Sequence, residues 1–187
     1  ITFGALENKT FGATPFSVSG SSTSSLSLTF TSATPSVCTV ASSMVTIVAG
    51  GTCTINADQA GDSSYAIATQ VAQSFTVSVA SQVITFAAPG DVAYDSPSPV
   101  TLVATSTSSL TVSFTSATAD VCTVSGTSVT RIAIGTCTIN ADQAGNGSYS
   151  AANRVVRSFT VTKATPSVSL QYPNSNTVTF SVGGTLS

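Results

Sequence analysis

The chain has 187 residues, of which five are basic and seven acidic, for a net charge of −2, and it contains no His. So few cations exclude the clustered Lys and Arg of a nucleic-acid footprint or a polybasic membrane patch, and the lack of His excludes His-based triads and proton shuttles. Ser and Thr together supply 64 residues, a polar coat without charge, and no apolar run approaches the ~20 residues that span a bilayer.

The chain opens on Ile1-Thr2-Phe3, which is already strand-like, with neither an initiator Met nor a signal sequence. It reads as a segment of a longer or processed protein. Within the first 80 residues about seven strands are expected, near 1–3, 16–19, 26–31, 37–40, 44–48, 52–58 and 73–79. In most of them every second residue is apolar, as in Phe16 and Val18, Leu26, Leu28 and Phe30, or Phe75 and Val77. A period of two puts one face of a strand in a core and the other in water. Turn residues separate the strands at roughly 8–12-residue spacing, the pattern of an antiparallel β-sandwich. No segment has helical periodicity; Tyr65 to Thr69 suffices at most for a single turn.

The strand at 52–58 lies inside Gly51-Thr-Cys-Thr-Ile-Asn-Ala-Asp-Gln-Ala-Gly61, and the same eleven residues return unchanged as Gly135 to Gly145. Cys53, Ile55 and Ala57 share one face, and Thr52, Thr54, Asn56 and Asp58 the other. β-Branched Thr and Ile suit a pleated surface, and the two glycines mark turns. Cys38 and Cys122, Tyr65 and Tyr149, and Phe75 and Phe159 keep the same offset of 84. Between Leu26–Val79 and Leu110–Lys163, 32 of 54 positions are identical. Ile1-Thr2-Phe3 matches Ile84-Thr85-Phe86 at an offset of 83, so one extra residue lies between, in Asp95-Ser96-Pro97-Ser98-Pro99. A period this long means whole domains in tandem. The expected organisation is a sandwich over 1–80, its repeat over 81–162, and a partial third module or strand-donating tail over 163–187. The join Val79-Ala80-Ser81-Gln82 is short and lacks a Gly or Pro run, which implies an extended rod of restricted bending.

One substitution breaks the repeat: Ile47 becomes Arg131. A buried unpaired Arg would be costly, so the strand is expected to bulge and to turn position 131 toward water near a sheet edge.

The four cysteines form two pairs, Cys38 with Cys53 and Cys122 with Cys137, each 15 residues apart. The spacing fits no zinc site and no C-x-x-C motif is present. All four occupy inward-facing strand positions. One disulfide per module is expected, Cys38–Cys53 and Cys122–Cys137, hence an oxidising compartment; the alternative is a pair of buried free thiols in each module.

The remaining candidates for chemistry are weak. A glycosidase needs two converging carboxylates, and only Asp58 and Asp142 recur, one per module. Asn56, Asp58 and Asp62 resemble a calcium loop faintly, but the repeat has Asn146 in place of Asp62, and the ligands are far too few. Lys9, a conceivable isopeptide donor, becomes Val92. Tyr65 and Tyr149 are read as packing on the sandwich end. No catalytic residue, cofactor site or metal site is expected.

Ile84-Thr-Phe, Val100-Thr-Leu-Val-Ala-Thr-Ser, Val112-Ser-Phe-Thr-Ser, Val121-Cys-Thr-Val, Gly135-Thr-Cys-Thr-Ile, Ala141-Asp-Gln-Ala-Gly and Arg157-Ser-Phe-Thr-Val resemble the bacterial immunoglobulin-like repeats of large secreted, cell-surface and adhesin-like proteins. The resemblance covers 1–162, and the segment from Lys163 looks like the opening of a related module. Arg131 departs from the aliphatic residue usual there, and the Ser-Ser-Leu turns lack the usual Gly. The resemblance implies an immunoglobulin-like sandwich and a non-enzymatic spacer role at the cell surface or outside the cell. Partners would be neighbouring modules of the same chain or other copies of it, with a glycan or host-surface ligand unidentified. Two rival roles are a self-assembling extracellular filament, in which strands of 163–187 complete a neighbour's sheet, and a carbohydrate-binding module. The absence of Trp and the presence of only four Tyr count against the last.

Overall fold

A computed structural model of the chain describes residues 1–164, 166, 168–171 and 177–180. The third module or tail expected over 163–187 lies largely outside the described residues. Among them there is no helix, and hence none long and apolar enough to cross a membrane.

The first repeat contains nine strands: β1 (Thr2–Phe3), β2 (Lys9–Thr10), β3 (Phe16–Ser17), β4 (Gly20–Ser21), β5 (Thr29–Ser32), β6 (Cys38–Ala41), β7 (Met44–Ile47), β8 (Gly51–Asp58) and β9 (Val71–Ser78). They form a four-stranded sheet in the order β2-β9-β8-β5, a three-stranded sheet in the order β3-β7-β6, and a β1-β4 pair. The core takes Cys53, Ile55, Ala57, Phe75 and Val77 from the larger sheet, Cys38 and Val45 from the smaller one, and Phe3 and Val18 besides. Two sheets thus face each other across one apolar layer, the definition of a sandwich.

The second repeat follows the same plan with β10 (Ile84–Phe86), β11 (Val92–Ala93), β12 (Val100–Thr101), β13 (Ala104–Ser106), β14 (Ser113–Ser116), β15 (Cys122–Ser125), β16 (Ser128–Arg131), β17 (Gly135–Asp142) and β18 (Val155–Thr162). Its sheets run β11-β18-β17-β14 and β12-β16-β15, with β10 paired to β13. Finally β19 (Val168–Gln171) pairs antiparallel with β20 (Thr177–Phe180).

Two features differ from the sequence reading. The strands beyond the expected seven are two-residue pieces, such as β2 and β4, too short to show alternation. The sandwich is also not wholly antiparallel: β2 runs parallel to β9, with Lys9 opposite Val77, and β11 runs parallel to β18. These pairs are two residues long and lie at sheet edges, so no hydrophobic period announces their direction.

The extra residue of the second repeat lies where the alignment puts it. Phe11 and Tyr94, 83 apart, each donate N–H to the last residue of the adjoining edge, Ser78 O and Thr162 O. Phe16 and Val100, 84 apart, pair with Val45 and Val129. The offset therefore changes between Tyr94 and Val100.

Arg131 pairs in register with Cys122 at the end of β16. The bulge follows it: Ile132 N and Ala133 N both donate to Val121 O, two residues opposite one, as Val48 and Ala49 do to Val37 in the first repeat. The guanidinium does not turn to bulk water as expected; it is half-buried and bonded to the 95–99 loop.

By packing, the chain divides into two compact units. One holds 1–83, 106–110 and 143–153; the other holds 84–105, 111–142 and 154–187.

Candidate functional site

The cysteines are the part of the sequence with distinctive chemistry. Cys38 lies on β6 and Cys53 on β8, in different sheets, with Cα atoms 5.7 Å apart and a disulfide between them. Cys122 on β15 and Cys137 on β17 repeat this, again at 5.7 Å. Alternation explains the meeting: each cysteine occupies an inward position, and all four are fully buried. Thr34 and Thr118, at 3.7 Å, and Ser32 and Ser116, at 3.5 and 3.3 Å, put hydroxyls beside Cys38 and Cys122. Thr34 Oγ1 also accepts from Thr54 N, and Thr118 Oγ1 from Thr138 N, both at 2.9 Å, so each threonine ties the first cysteine's turn to the strand that carries the second. The bond joins sheet to sheet and leaves no thiol exposed for exchange, an arrangement suited to mechanics and not to redox turnover.

The carboxylates are spread out and engaged in local structure. Asp58 Oδ1 accepts from Gln70 Nε2 at 2.7 Å, and Asp142 Oδ1 from Arg154 Nε at 2.8 Å. The Arg154 pKa is raised by that hydrogen bond first and by the Asp142 charge second. Asp62 Oδ1 accepts the N–H groups of Ser64 and Tyr65, and Asn146 Oδ1 those of Ser148 and Tyr149. One acceptor oxygen is all this turn requires, which is why Asn replaces Asp there. Asp91 Oδ1 accepts from Thr160 N in the place where Asn8 Oδ1 accepts from Thr76 N. Among the described residues no three of His, Cys, Asp and Glu gather at one point.

Lys9 Nζ lies 3.5 Å from Glu7 and 5.1 Å from the centre of the Phe16 ring. Tyr65 and Tyr94 are exposed, whereas Tyr149 packs edge-on against Phe11 with ring centres 5.3 Å apart. The two equivalent tyrosines, Tyr65 and Tyr149, thus have different surroundings, which equal sequence did not suggest.

Sequence reasoning missed a polar cluster built on glutamines. Gln82 and Gln143 are both buried. Gln82 Nε2 donates to Gln143 Oε1 and, at 2.6 Å, to Ser150 O; its Oε1 accepts from Ser108 Oγ at 2.5 Å. Gln143 Oε1 also accepts from Gly145 N at 2.6 Å. The available signal was Gln59 and Gln143 within the invariant eleven residues, at a position where alternation calls for an apolar side chain.

No protein-family model matches the chain, and neither does any curated protein. Among solved structures, Drosophila N-cadherin EC1-4 is similar at 10% identity and a TM-score of 0.37, over 88% of this chain and 50% of that one. Mouse cadherin-23 EC22-24 is similar at 13% identity and 0.36, over 90% and 66%. Human mucin-like protocadherin EC1-2 is similar at 10% and 0.33, over 87% and 98%. The chain therefore spans half the length of the N-cadherin structure. At these scores the likeness bears on neither the fold, which stands on the sheets themselves, nor the function.

Proposed function

We propose that the chain is a structural spacer: two immunoglobulin-like sandwich modules in tandem, 1–80 and 81–162, with 163–187 opening a third, in an extracellular surface or adhesin-like protein. The observation that carries this reading is the twofold recurrence of a covalent tie between facing sheets, Cys38–Cys53 and Cys122–Cys137. Such a bond resists separation of the sheets without depending on a large core, and modules of this size have little core to spend. It also requires an oxidising compartment. A surface rich in Ser and Thr and poor in charge stays hydrated without attracting polyanions. The module is non-enzymatic in this reading, and its partners are neighbouring modules or other copies of the chain.

Pulling the chain from its ends tests the idea. Two cooperative unfolding events are expected, one per module. With reductant present each event should lengthen by about 5 nm, the span of the 15 residues otherwise held inside each sulfur loop at ~3.5 Å apiece. Extension without cooperative events, or with the same length in both conditions, would overturn the proposal. Fibres growing from purified protein would favour the filament role instead, and selective binding on a glycan array the carbohydrate one.

A further inference from the structure

Most of the groups that surround Gln82 have counterparts in the first repeat. Ile84 is the equivalent of Ile1, so Gln82 stands two residues ahead of its repeat's first strand. The segment around it is held at several points. Ala80 N donates to Ser148 O at 2.8 Å and Ala80 O accepts from Ser150 N at 2.9 Å. Val83 N donates to Thr107 Oγ1 at 3.0 Å, and Thr107 N donates back to Val83 O at 3.0 Å.

The groups that hold Gln82 and the backbone around it recur in the first repeat, except the Ser150 hydroxyl, which donates to Ala80 O at 3.4 Å and has Ala66 in its place. Gln59 stands for Gln143, Ser24 for Ser108, Thr23 for Thr107, and Ser64 and Ala66 for Ser148 and Ser150. The scaffold is equally formed in both. Ser25 and Ser109 take left-handed φ values of 58° and 61°, and Gly61 and Gly145 both sit at 76°. Ser22 and Ser106 close the same turn by donating to Leu26 O and Leu110 O.

The partners of the two equivalent glutamines, Gln59 and Gln143, differ. Gln59 is only 4% exposed, yet among the described residues no hydrogen bond reaches its carboxamide. No described polar side-chain atom is both sealed from solvent and unpartnered, so this amide keeps a narrow opening to water. Ser64 and Ala66 are exposed where Ser148 and Ser150 are half-buried. An amide that meets only water at a narrow opening can exchange that water for a complementary amide at little cost, and the preformed slot around Gln59 is poised for one.

We infer that Gln59, Ser24 and the Ala66 carbonyl form a receptor for a primary carboxamide on an extended strand, which a glutamine placed two residues ahead of Ile1 would fill as Gln82 fills its equivalent. Such a glutamine would accept from Ser24 Oγ and donate to Gln59 Oε1 and Ala66 O, and the backbone before it would bond Ser64 O and Ala66 N. The receptor makes one module's stability depend on the residues that lead into it, so the lead strand and the sandwich form a single cooperative unit. This goes beyond the spacer reading and stands on the comparison of the two repeats alone.

The test is the full chain extended by Ala-Ser-Gln-Val ahead of Ile1, the residues that precede Ile84, against the same chain extended by Ala-Ser-Ala-Val. The glutamine form should melt about 4 °C or more higher, the scale set by one or two net hydrogen bonds in a domain of this size. It should also slow amide hydrogen exchange at Ala66. Ser24→Ala and Gln59→Ala should each shrink the difference between the two extended chains; Ser24 is half-exposed, so that variant keeps the fold if Gln59→Ala does not. Equal melting and equal exchange at Ala66 in the two extended chains would overturn the inference. Neither result depends on how the protein behaves under load.

Discussion

The guanidinium of Arg131 donates to the backbone carbonyl of Ser96 at 2.6 Å, and its second arm reaches Ser98 O at 3.3 Å. Both carbonyls belong to the loop that carries the second repeat's additional residue. The substitution and the insertion, which look unrelated in the sequence, are two halves of one contact. A longer loop brings free carbonyls over β16, and a five-donor side chain replaces an aliphatic one to satisfy them.

Restoring the first repeat's residue should therefore harm the second. Arg131→Ile is expected to cost about 1.5–3 kcal/mol, the range for hydrogen bonds that involve a charged group, and to speed amide exchange across 95–99. The reverse change, Ile47→Arg, should cost more, because Ile47 packs against the first core and would leave a charge there unpaired. Urea denaturation of the two variants checks both signs.

The sulfur pairing has a direct chemical assay. Met44 is the only Met and lies between Cys38 and Cys53; Arg131 lies between Cys122 and Cys137. Cyanogen bromide should leave two fragments joined until reductant is added, and trypsin should do the same around Arg131. A further cut at Asp95 separates Cys53 from Cys122 and resolves the partners. Replacing Cys38 and Cys53 together by Ala should cost about 3 kcal/mol, the entropy of a loop this size, read as a lower urea midpoint.

Two glycines in one turn should behave oppositely. Gly145 has φ +76°, and an added Cβ would strike the Tyr149 carbonyl; Gly147, two residues on, has nothing within 4 Å of that position. Gly145→Ala should cost at least 2 kcal/mol from strain and clash, and Gly147→Ala less than about 0.5 kcal/mol. Gly61→Ala should repeat the first result, with the Tyr65 carbonyl 2.5 Å from its Cβ. Thermal melts of the three variants are sufficient.

Arg154→Gln should be nearly silent. The first repeat already uses Gln70 against Asp58 in this place, and an exposed ion pair contributes little. The raised Arg154 pKa means its share of stability is complete below the free guanidinium value and is lost only as pH climbs through the folded one. Between pH 5 and 9 the variant and the parent should show parallel stability curves in urea denaturation.

Much of this protein is legible in its sequence. Alternation in Cys53-Thr-Ile-Asn-Ala57 and its duplicate dictates strands with one buried face, because side chains on a pleated backbone point alternately to either side. Duplication itself dictates that whatever the first copy builds, the second builds again. Tertiary structure alone decided the rest. It set the direction of the two-residue edge strands, the anchoring of Arg131 on Ser96, the unequal surroundings of Tyr65 and Tyr149, and the amide cluster of Gln82 and Gln143. Each of these depends on groups far apart in the chain being brought within hydrogen-bond or van der Waals reach. A local pattern carries no information about such distances; only the closing of one sheet over another does.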